Sequence, residues 1–209
     1  YEFSLTIDTK MVNKVVSEVQ GFFAPGEDGE GNPTPSPAEE MTLYEALAKV
    51  LPTTQPDGTD FPEETTERDK VVAWLSYIFT DTFTVGDLQD LVNKILAAKV
   101  SEKITLAKLL NVIGGIMGKD INTILSAMES TPVATLVDGL IGSQGFYSNL
   151  AMMLIYPIIG DNAIIDMSIA ELYSFVQQMK INEKAYLPTI EELLAAEVNN
   201  ANLTVTLKT

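Results

Sequence analysis

The 209-residue chain contains no histidine and no cysteine, and Arg68 is its only arginine. Without imidazoles and thiols, the chain cannot supply a Ser-His-Asp or Cys-His nucleophile system, a zinc site built on His or Cys, or a haem ligated by His. Disulfides are excluded as well, so packing has to stabilise the fold. A single guanidinium leaves at most one bidentate clamp for a phosphate or carboxylate group.

Long apolar runs are also missing. The most apolar window, residues 150–165, is interrupted by Pro157, Gly160, Asp161 and Asn162, and it falls well short of the ~20 apolar residues that a spanning helix needs. We therefore predict no membrane insertion. Basic residues are scarce too, with 13 against 29 acidic residues and a formal charge of −16. Because this excess of carboxylates repels phosphate groups, we also predict no nucleic-acid partner.

The sequence is rich in signals that begin helices, namely a hydroxyl residue just before an amphipathic apolar stripe. The capping-box spacing, in which Glu or Asp follows Ser or Thr by three residues, occurs at Thr42, Thr84, Ser168 and Thr189. Pro132, after Thr131, favours a further start at the first helical position. The predicted starts are Thr9, Thr42, Thr66, Thr84, Thr105, Thr131, Ser168 and Thr189.

Both ends of the chain read as strands. Residues 1–7 and 202–208 alternate apolar and polar side chains with the period of a half-buried strand. The predicted fold is mainly α, a bundle of about eight short capped helices with one short β-strand at each terminus. Antiparallel pairing of the two strands is one arrangement that this pattern allows.

We predict a single helical domain over residues 1–209. Within it, residues 24–38 combine four prolines, three glycines and three acidic residues, a composition typical of a flexible acidic loop. Gly86 and Gly139 lie inside predicted helices, where glycine costs stability. We therefore expect a neighbouring helix to approach closely at these two positions.

Carboxylates, lysines and hydroxyls are the main reactive groups left. Asp161 and Asp166, in an apolar stretch, are the best local candidates for a pair of catalytic carboxylates, but a turn and a helix cap explain them completely. The acidic loops 27–30 and 57–60 could offer oxygen ligands to calcium. Neither has the spacing of a twelve-residue calcium loop, which favours solvated acidic turns.

The remaining candidates are better explained by structure than by chemistry. Lys108 is expected to point to solvent rather than act as a buried nucleophile, and Ser143 lacks both the nucleophile-elbow spacing and a partner His. Residues 114–119 are typical of a helix end and not of a phosphate loop. Trp74 is expected in the core, and the methionines Met152, Met153 and Met179 are expected to fill core gaps. We assign no catalytic, metal-binding or cofactor-binding residue, and no cofactor.

The sequence therefore favours a non-enzymatic structural or protein-interaction module of a larger secreted or cell-surface protein, of bacterial origin, with an unknown protein or glycan partner. An extracellular location is expected, although the sequence leaves the cytoplasm open. Two alternatives stay open: a glycan hydrolase that uses carboxylates alone, and a helical pocket for an apolar small ligand.

Overall fold

The computed structural model describes residues 2–7, 9–100, 102–157, 160–197 and 203–208, and most of them are α-helical. This confirms the mainly α fold class. Eleven α-helices form within these ranges, three more than the eight predicted starts. They are α1 (Thr9–Phe23), α2 (Pro37–Glu40), α3 (Leu43–Val50), α4 (Glu67–Ile78), α5 (Val85–Lys99), α6 (Leu106–Met117), α7 (Ile121–Ala127), α8 (Val133–Ile141), α9 (Phe146–Ile155), α10 (Ile169–Gln177) and α11 (Ile190–Ala195).

The strands of the described residues form three antiparallel pairs. The two terminal strands pair over six residues, from Glu2 opposite Lys208 to Ile7 opposite Leu203, which confirms the antiparallel arrangement. The other two pairs are hairpins of two-residue strands. The strands are β1 (Glu2–Ile7), β2 (Gly26–Glu27), β3 (Pro33–Thr34), β4 (Lys180–Ile181), β5 (Lys184–Ala185) and β6 (Leu203–Lys208).

Helix starts agree closely with the sequence signals. In six of the eight helices the first helical residue directly follows the predicted capping residue. The exceptions are α1, which begins at Thr9 itself, and α8, which begins at Val133, two residues after Thr131. Complete capping boxes form at Thr84, Ser168 and Thr189, where the side chain accepts from the third helical N–H and the acidic residue returns the bond. A side-chain oxygen close to the helix start therefore fixes these boundaries.

The three helices without a predicted start are α2, α7 and α9. A signal for α2 was present, since Ser36 and Glu39 form a capping box with Pro37 at the first helical position. Part of this signal lies in residues 24–38, for which the sequence predicts a flexible acidic loop. That segment holds the β2–β3 hairpin, and Ser36 and Ala38 at its end are buried. Its flexibility stays a prediction.

The chain divides into two compact units, one made of residues 1–42 with 167–209 and the other of residues 43–166. The second unit is continuous in sequence and interrupts the first. The single domain over residues 1–209 stays a prediction.

The first unit has a small core around the end of α1. Phe23, Ala38 and Ala170 are buried there, and the rings of Phe23 and Tyr173 lie 5.0 Å apart. Gln20 Nε2 donates hydrogen bonds of 2.9 Å to the carbonyls of Leu193 and Ala196. Because these carbonyls belong to the end of α11, the Gln20 amide ties α1 to that helix end.

The second unit has the larger core, and its central helix is α4. Trp74 is buried, and its indole Nε1 donates a 3.0 Å hydrogen bond to the Thr54 carbonyl, which confirms its predicted core position. Tyr147 is also buried, and its hydroxyl donates to the Ile78 carbonyl at 2.9 Å. The buried residues of this core are Leu51, Val71, Trp74, Leu75, Phe83, Leu91, Ala163 and Ile165.

Within this unit, the starts of α5 and α8 are joined by an antiparallel bridge between Thr84 and Pro132. The Val85 N–H donates to the Thr131 carbonyl at 2.9 Å, and the Val133 N–H donates to the Phe83 carbonyl at 2.8 Å. These N–H groups open their helices and would otherwise have no main-chain partner. The residues that precede each helix therefore supply a carbonyl acceptor to the first N–H of the other helix.

The second N–H of α5 belongs to Gly86, which donates to the Glu129 carbonyl at 2.9 Å. A Cβ atom at Gly86 would lie 2.8 Å from Glu129 Cγ and 3.2 Å from Glu129 O, so any other residue would displace Glu129. A close approach does occur at Gly86, but the predicted neighbour is wrong, because Glu129 lies in the chain after α7 and not in a helix. At Gly139 the prediction is wrong, because a Cβ atom there would meet nothing within 4 Å.

These two glycines give a matched pair of substitutions. We expect Gly86→Ala to destabilise the protein by about 1–3 kcal/mol, because the methyl group collides with Glu129 and strains the hydrogen bond. Gly139→Ala should stabilise it by about 0.5–1 kcal/mol, since alanine costs less backbone entropy in a helix. Urea unfolding followed by circular dichroism measures both changes. Equal effects of the two substitutions would contradict the close approach at Gly86.

Candidate interaction surface

The two aspartates considered as catalytic carboxylates, Asp161 and Asp166, have different surroundings. Asp161 lies in an exposed turn, and Asp166 ends a short 3₁₀ helix, Ile164–Asp166. The Asp166 carboxylate accepts from Arg68 Nε at 2.8 Å and from Arg68 Nη2 at 3.1 Å. The predicted cap role of Asp166 is wrong, because the Ser168 side chain caps α10.

Arg68, the only arginine, serves the second unit as a structural tie. Its Nη2 also donates to the Ile155 carbonyl at 3.4 Å, so the side chain connects α4 to the end of α9. The hydrogen bonds that Arg68 donates to Asp166 raise the pKa of Arg68, and the guanidinium stays charged. Because about a third of each side chain is exposed, the pair contributes at most about 1 kcal/mol. The bidentate clamp that Arg68 could offer to a ligand is therefore already filled by the Asp166 carboxylate.

The two acidic loops considered for calcium close turns instead. Asp28 accepts from the Asn32 side chain at 3.0 Å and from the Asn32 N–H at 2.8 Å, and Asp57 accepts from the Thr59 hydroxyl at 2.6 Å. These bonds lower the pKa of Asp28 and of Asp57 below the ordinary value of 3.8. Among the residues that the structure describes, no group of three carboxylates converges as a metal site requires.

The lowered pKa values give the turns a defined pH dependence. Folding favours the charged carboxylates, so their contribution to stability is present above pH 3.8 and is lost as the pH falls through the folded-state pKa of Asp28 and Asp57. This behaviour is that of a hydrogen-bonded turn, in agreement with the sequence interpretation.

A second pair of carboxylates lines a cavity of about 520 Å³ beside α8 and the start of α9. Asp81 accepts a hydrogen bond from the Ser148 hydroxyl. Asp138 accepts from the Gly145 N–H at 2.9 Å and from the Tyr147 N–H at 2.8 Å, one bond to each of its oxygens. A negative charge at the first turn of a helix satisfies free N–H groups and complements the helix dipole. Asp138 therefore caps α9 from a position seven residues before Gly145.

Several other candidates lie where the sequence placed them. Lys108 is exposed, and its Nζ donates to the Lys103 carbonyl at 2.6 Å. Ser143 is exposed in the chain after α8. Helix α6 ends with Gly118 in the left-handed conformation, as expected for a helix C-terminus.

The methionines differ from the prediction. Met152, Met153 and Met179 were expected to fill core gaps, but their exposed fractions are 58%, 41% and 53%. Hydrophobicity alone does not distinguish an interior position from an exposed one on a short helix, because the packing of neighbouring elements decides which side is covered.

The most concentrated exposed apolar surface lies on α6. Five large apolar side chains there have exposed fractions between 42% and 64%, and they recur at the spacing of one helix face. Single exposed apolar residues are ordinary, whereas a contiguous group marks an interaction site. We call this group the α6 face; it consists of Leu109, Val112, Ile113, Ile116 and Met117.

The opposite side of α6 is attached to the protein. Gly114 is buried, and a Cβ atom there would overlap the Lys119 carbonyl. Asn122 of α7 donates to the Ala107 carbonyl at 2.9 Å and to Asn111 Oδ1 at 2.6 Å, while Asn93 of α5 accepts from the Leu106 N–H at 2.9 Å. Helix α6 therefore contacts the rest of the unit through its polar residues and Gly114, and the apolar residues of the α6 face are exposed to solvent.

A second apolar surface lies in the first unit, at the end of α10. Six residues line an open groove of about 580 Å³ there, and Met179, Ile181 and Tyr186 are more than half exposed. The β4–β5 hairpin forms part of its wall and turns through Asn182 and Glu183, both with positive φ. We call this the α10 groove; it is lined by Val176, Met179, Lys180, Ile181, Tyr186 and Leu187.

No family model matches the chain, and no curated protein or solved structure is significantly similar to it. Among the described residues, no helix combines the length and apolar character that crossing a membrane requires.

The two carboxylates of the cavity can be separated by isosteric substitution. We expect Asp138→Asn to destabilise the protein by about 1–2 kcal/mol, because an amide group replaces one of the two acceptors that face N–H groups. Asp81→Asn should change stability by less than about 0.5 kcal/mol, since the amide oxygen still accepts the Ser148 hydroxyl at an exposed position. Thermal unfolding at neutral pH measures both. An unchanged midpoint for Asp138→Asn would contradict the capping role.

Proposed function

We propose that this chain is a non-enzymatic protein-interaction module of a larger exported or cell-surface protein, and that the α6 face docks a helix of a partner protein. The exposure of five large apolar side chains on one helix face is the observation that carries this function.

Helix docking suits the α6 face better than other forms of recognition. Its residues follow the i, i+3, i+4, i+7 and i+8 positions that helix pairs use as anchors. Gly115 adjoins these residues, and a Cβ atom at that position would meet nothing within 4 Å, so the main chain of a partner can come close there. Twelve residues of α6 span about 18 Å, the length of three turns on a partner helix.

The place within a larger protein is supported by the terminal strands. Since β1 and β6 pair antiparallel, the described chain enters and leaves at the same edge, an arrangement that suits a module inserted between other segments. The absence of cysteine is compatible with an oxidising compartment outside the cell. A bacterial source and a surface location are parts of the same proposal.

A second function, the binding of an apolar small ligand, is favoured by the α10 groove. Its volume of about 580 Å³ lies within the ~300–1,000 Å³ of known ligand sites. The lining is mostly apolar and includes one cationic residue, Lys180, between Met179 and Ile181 in the chain. The ligand chemistry that fits is an alkyl chain ending in a carboxylate.

The α6 face can be tested with a synthetic amphipathic peptide that has leucines at i, i+3, i+4 and i+7 and glutamines at its other positions. We expect it to bind the protein, and we expect Val112→Ser with Ile116→Ser to weaken binding about tenfold or more, because the partner loses its central apolar contacts. Fluorescence anisotropy with labelled peptide measures the affinity.

Leu140→Ser supplies the matched control, because Leu140 is 88% exposed but lies on α8. This variant should bind the peptide like the unmodified protein, and circular dichroism should show that all variants fold. Failure of the peptide to bind the unmodified protein would contradict docking at α6. A dimer detected by analytical ultracentrifugation and dissolved by the double substitution would make a second copy the occupant of the face.

The α10 groove can be tested with dodecanoate. We expect calorimetry to detect binding, and Lys180→Gln should weaken it about threefold to tenfold because the carboxylate loses its cationic partner. Lys184→Gln, on the paired strand β5, makes the same charge change outside the groove lining and should leave the affinity unchanged. Equal losses for both variants, or no binding at all, would contradict this function.

A further inference from the structure

Resting on docking at the α6 face, we propose that the partner helix is acidic, with carboxylate side chains along the edges of its apolar stripe. The charge around α6, opposite in sign to that of the rest of the chain, points to this partner.

Positive charge is concentrated around α6. Between residues 91 and 119 the sequence has five lysines and one acidic residue, Glu102, although the whole chain has a formal charge of −16. Asp120, which follows Lys119, is engaged at the start of α7, where its carboxylate accepts from the Thr123 N–H and hydroxyl. Helix α6 itself contains Lys108 and no carboxylate. The lysines of this segment are Lys94, Lys99, Lys103, Lys108 and Lys119.

Two of these lysines adjoin the apolar residues directly. Lys108 precedes Val112 by four residues, which places it one turn away along the same edge of the helix. Lys119 follows the helix two residues after Met117, beyond the Gly118 cap. Both are exposed. A partner helix lying on the α6 face would therefore meet a cationic group near each end of the stripe.

Local charge, rather than total charge, decides this contact. At physiological ionic strength exposed charges are screened beyond about 8 Å, so the carboxylates elsewhere on the chain act weakly on a helix bound at α6. Charged groups at the rim of an interface select partners by sign and raise the association rate. An acidic rim is attracted by Lys108 and Lys119, whereas a basic rim is repelled.

The same lysines disfavour a second copy of this chain as the occupant. Two α6 helices packed antiparallel through their apolar faces would bring Lys108 of one copy towards Lys119 of the other, and like charges at a rim reduce affinity. The local charge therefore favours a partner of opposite sign over self-association.

The test compares three peptides with the same leucine stripe and with glutamate, glutamine or lysine at the edge positions. We expect the glutamate peptide to bind about fivefold to tenfold more tightly than the glutamine peptide, and the lysine peptide to bind least. The advantage of glutamate should shrink as the salt concentration rises from 50 to about 500 mM, because screening weakens exposed ion pairs.

Lys108→Gln with Lys119→Gln should remove most of the preference for glutamate and leave the affinity for the glutamine peptide unchanged. The control, Lys14→Gln with Lys49→Gln, removes the same charge from exposed positions on α1 and α3 and should keep the preference. Equal binding of all three peptides would overturn the acidic partner while leaving docking at α6 intact. Absence of binding by every peptide would overturn the docking function itself, so the two failures are distinct.

Discussion

The N–H groups at the start of a helix have no partner within the helix, and the way this chain satisfies them organises much of its structure. In α5 the first N–H donates to Thr131, the second donates to Glu129 and the third donates to the Thr84 side chain. These bonds require the chain after α7 to approach α5, which in turn requires glycine at position 86. The N–H groups that begin α5 thus depend on the Thr84 cap, on the bridge between Thr84 and Pro132, and on glycine at position 86.

Several carboxylates of this acidic chain are held by hydrogen bonds within the fold. Asp138 accepts two N–H groups at the start of α9, Asp28 and Asp57 close turns, and Asp166 holds the only arginine. The candidate binding surfaces are the α6 face, near Lys108, in one unit and the α10 groove, which includes Lys180, in the other.

The helix starts were predictable because capping is local. A hydroxyl and an acidic residue three positions apart act on N–H groups of the same turn, so the sequence carries the complete signal at Thr84, Ser168 and Thr189. The start of α9 was not predictable, because its cap comes from Asp138, seven residues before Gly145, on another helix. The start of α2 had a local signal at Ser36, but proline and glycine around it favoured a loop.

The amino-acid sequence by itself determined the helical class, the two terminal strands, most helix boundaries and the absence of imidazole and thiol groups, because each of these depends on residue type or on local spacing. Tertiary structure decided which apolar residues are covered. Helix α6 is apolar on several sides, and only its attachment through Gly114, Asn93 and Asn122 leaves Val112 and Ile116 outward. Burial depends on neighbours that are distant in sequence, which is why the candidate surface could not be located from periodicity alone.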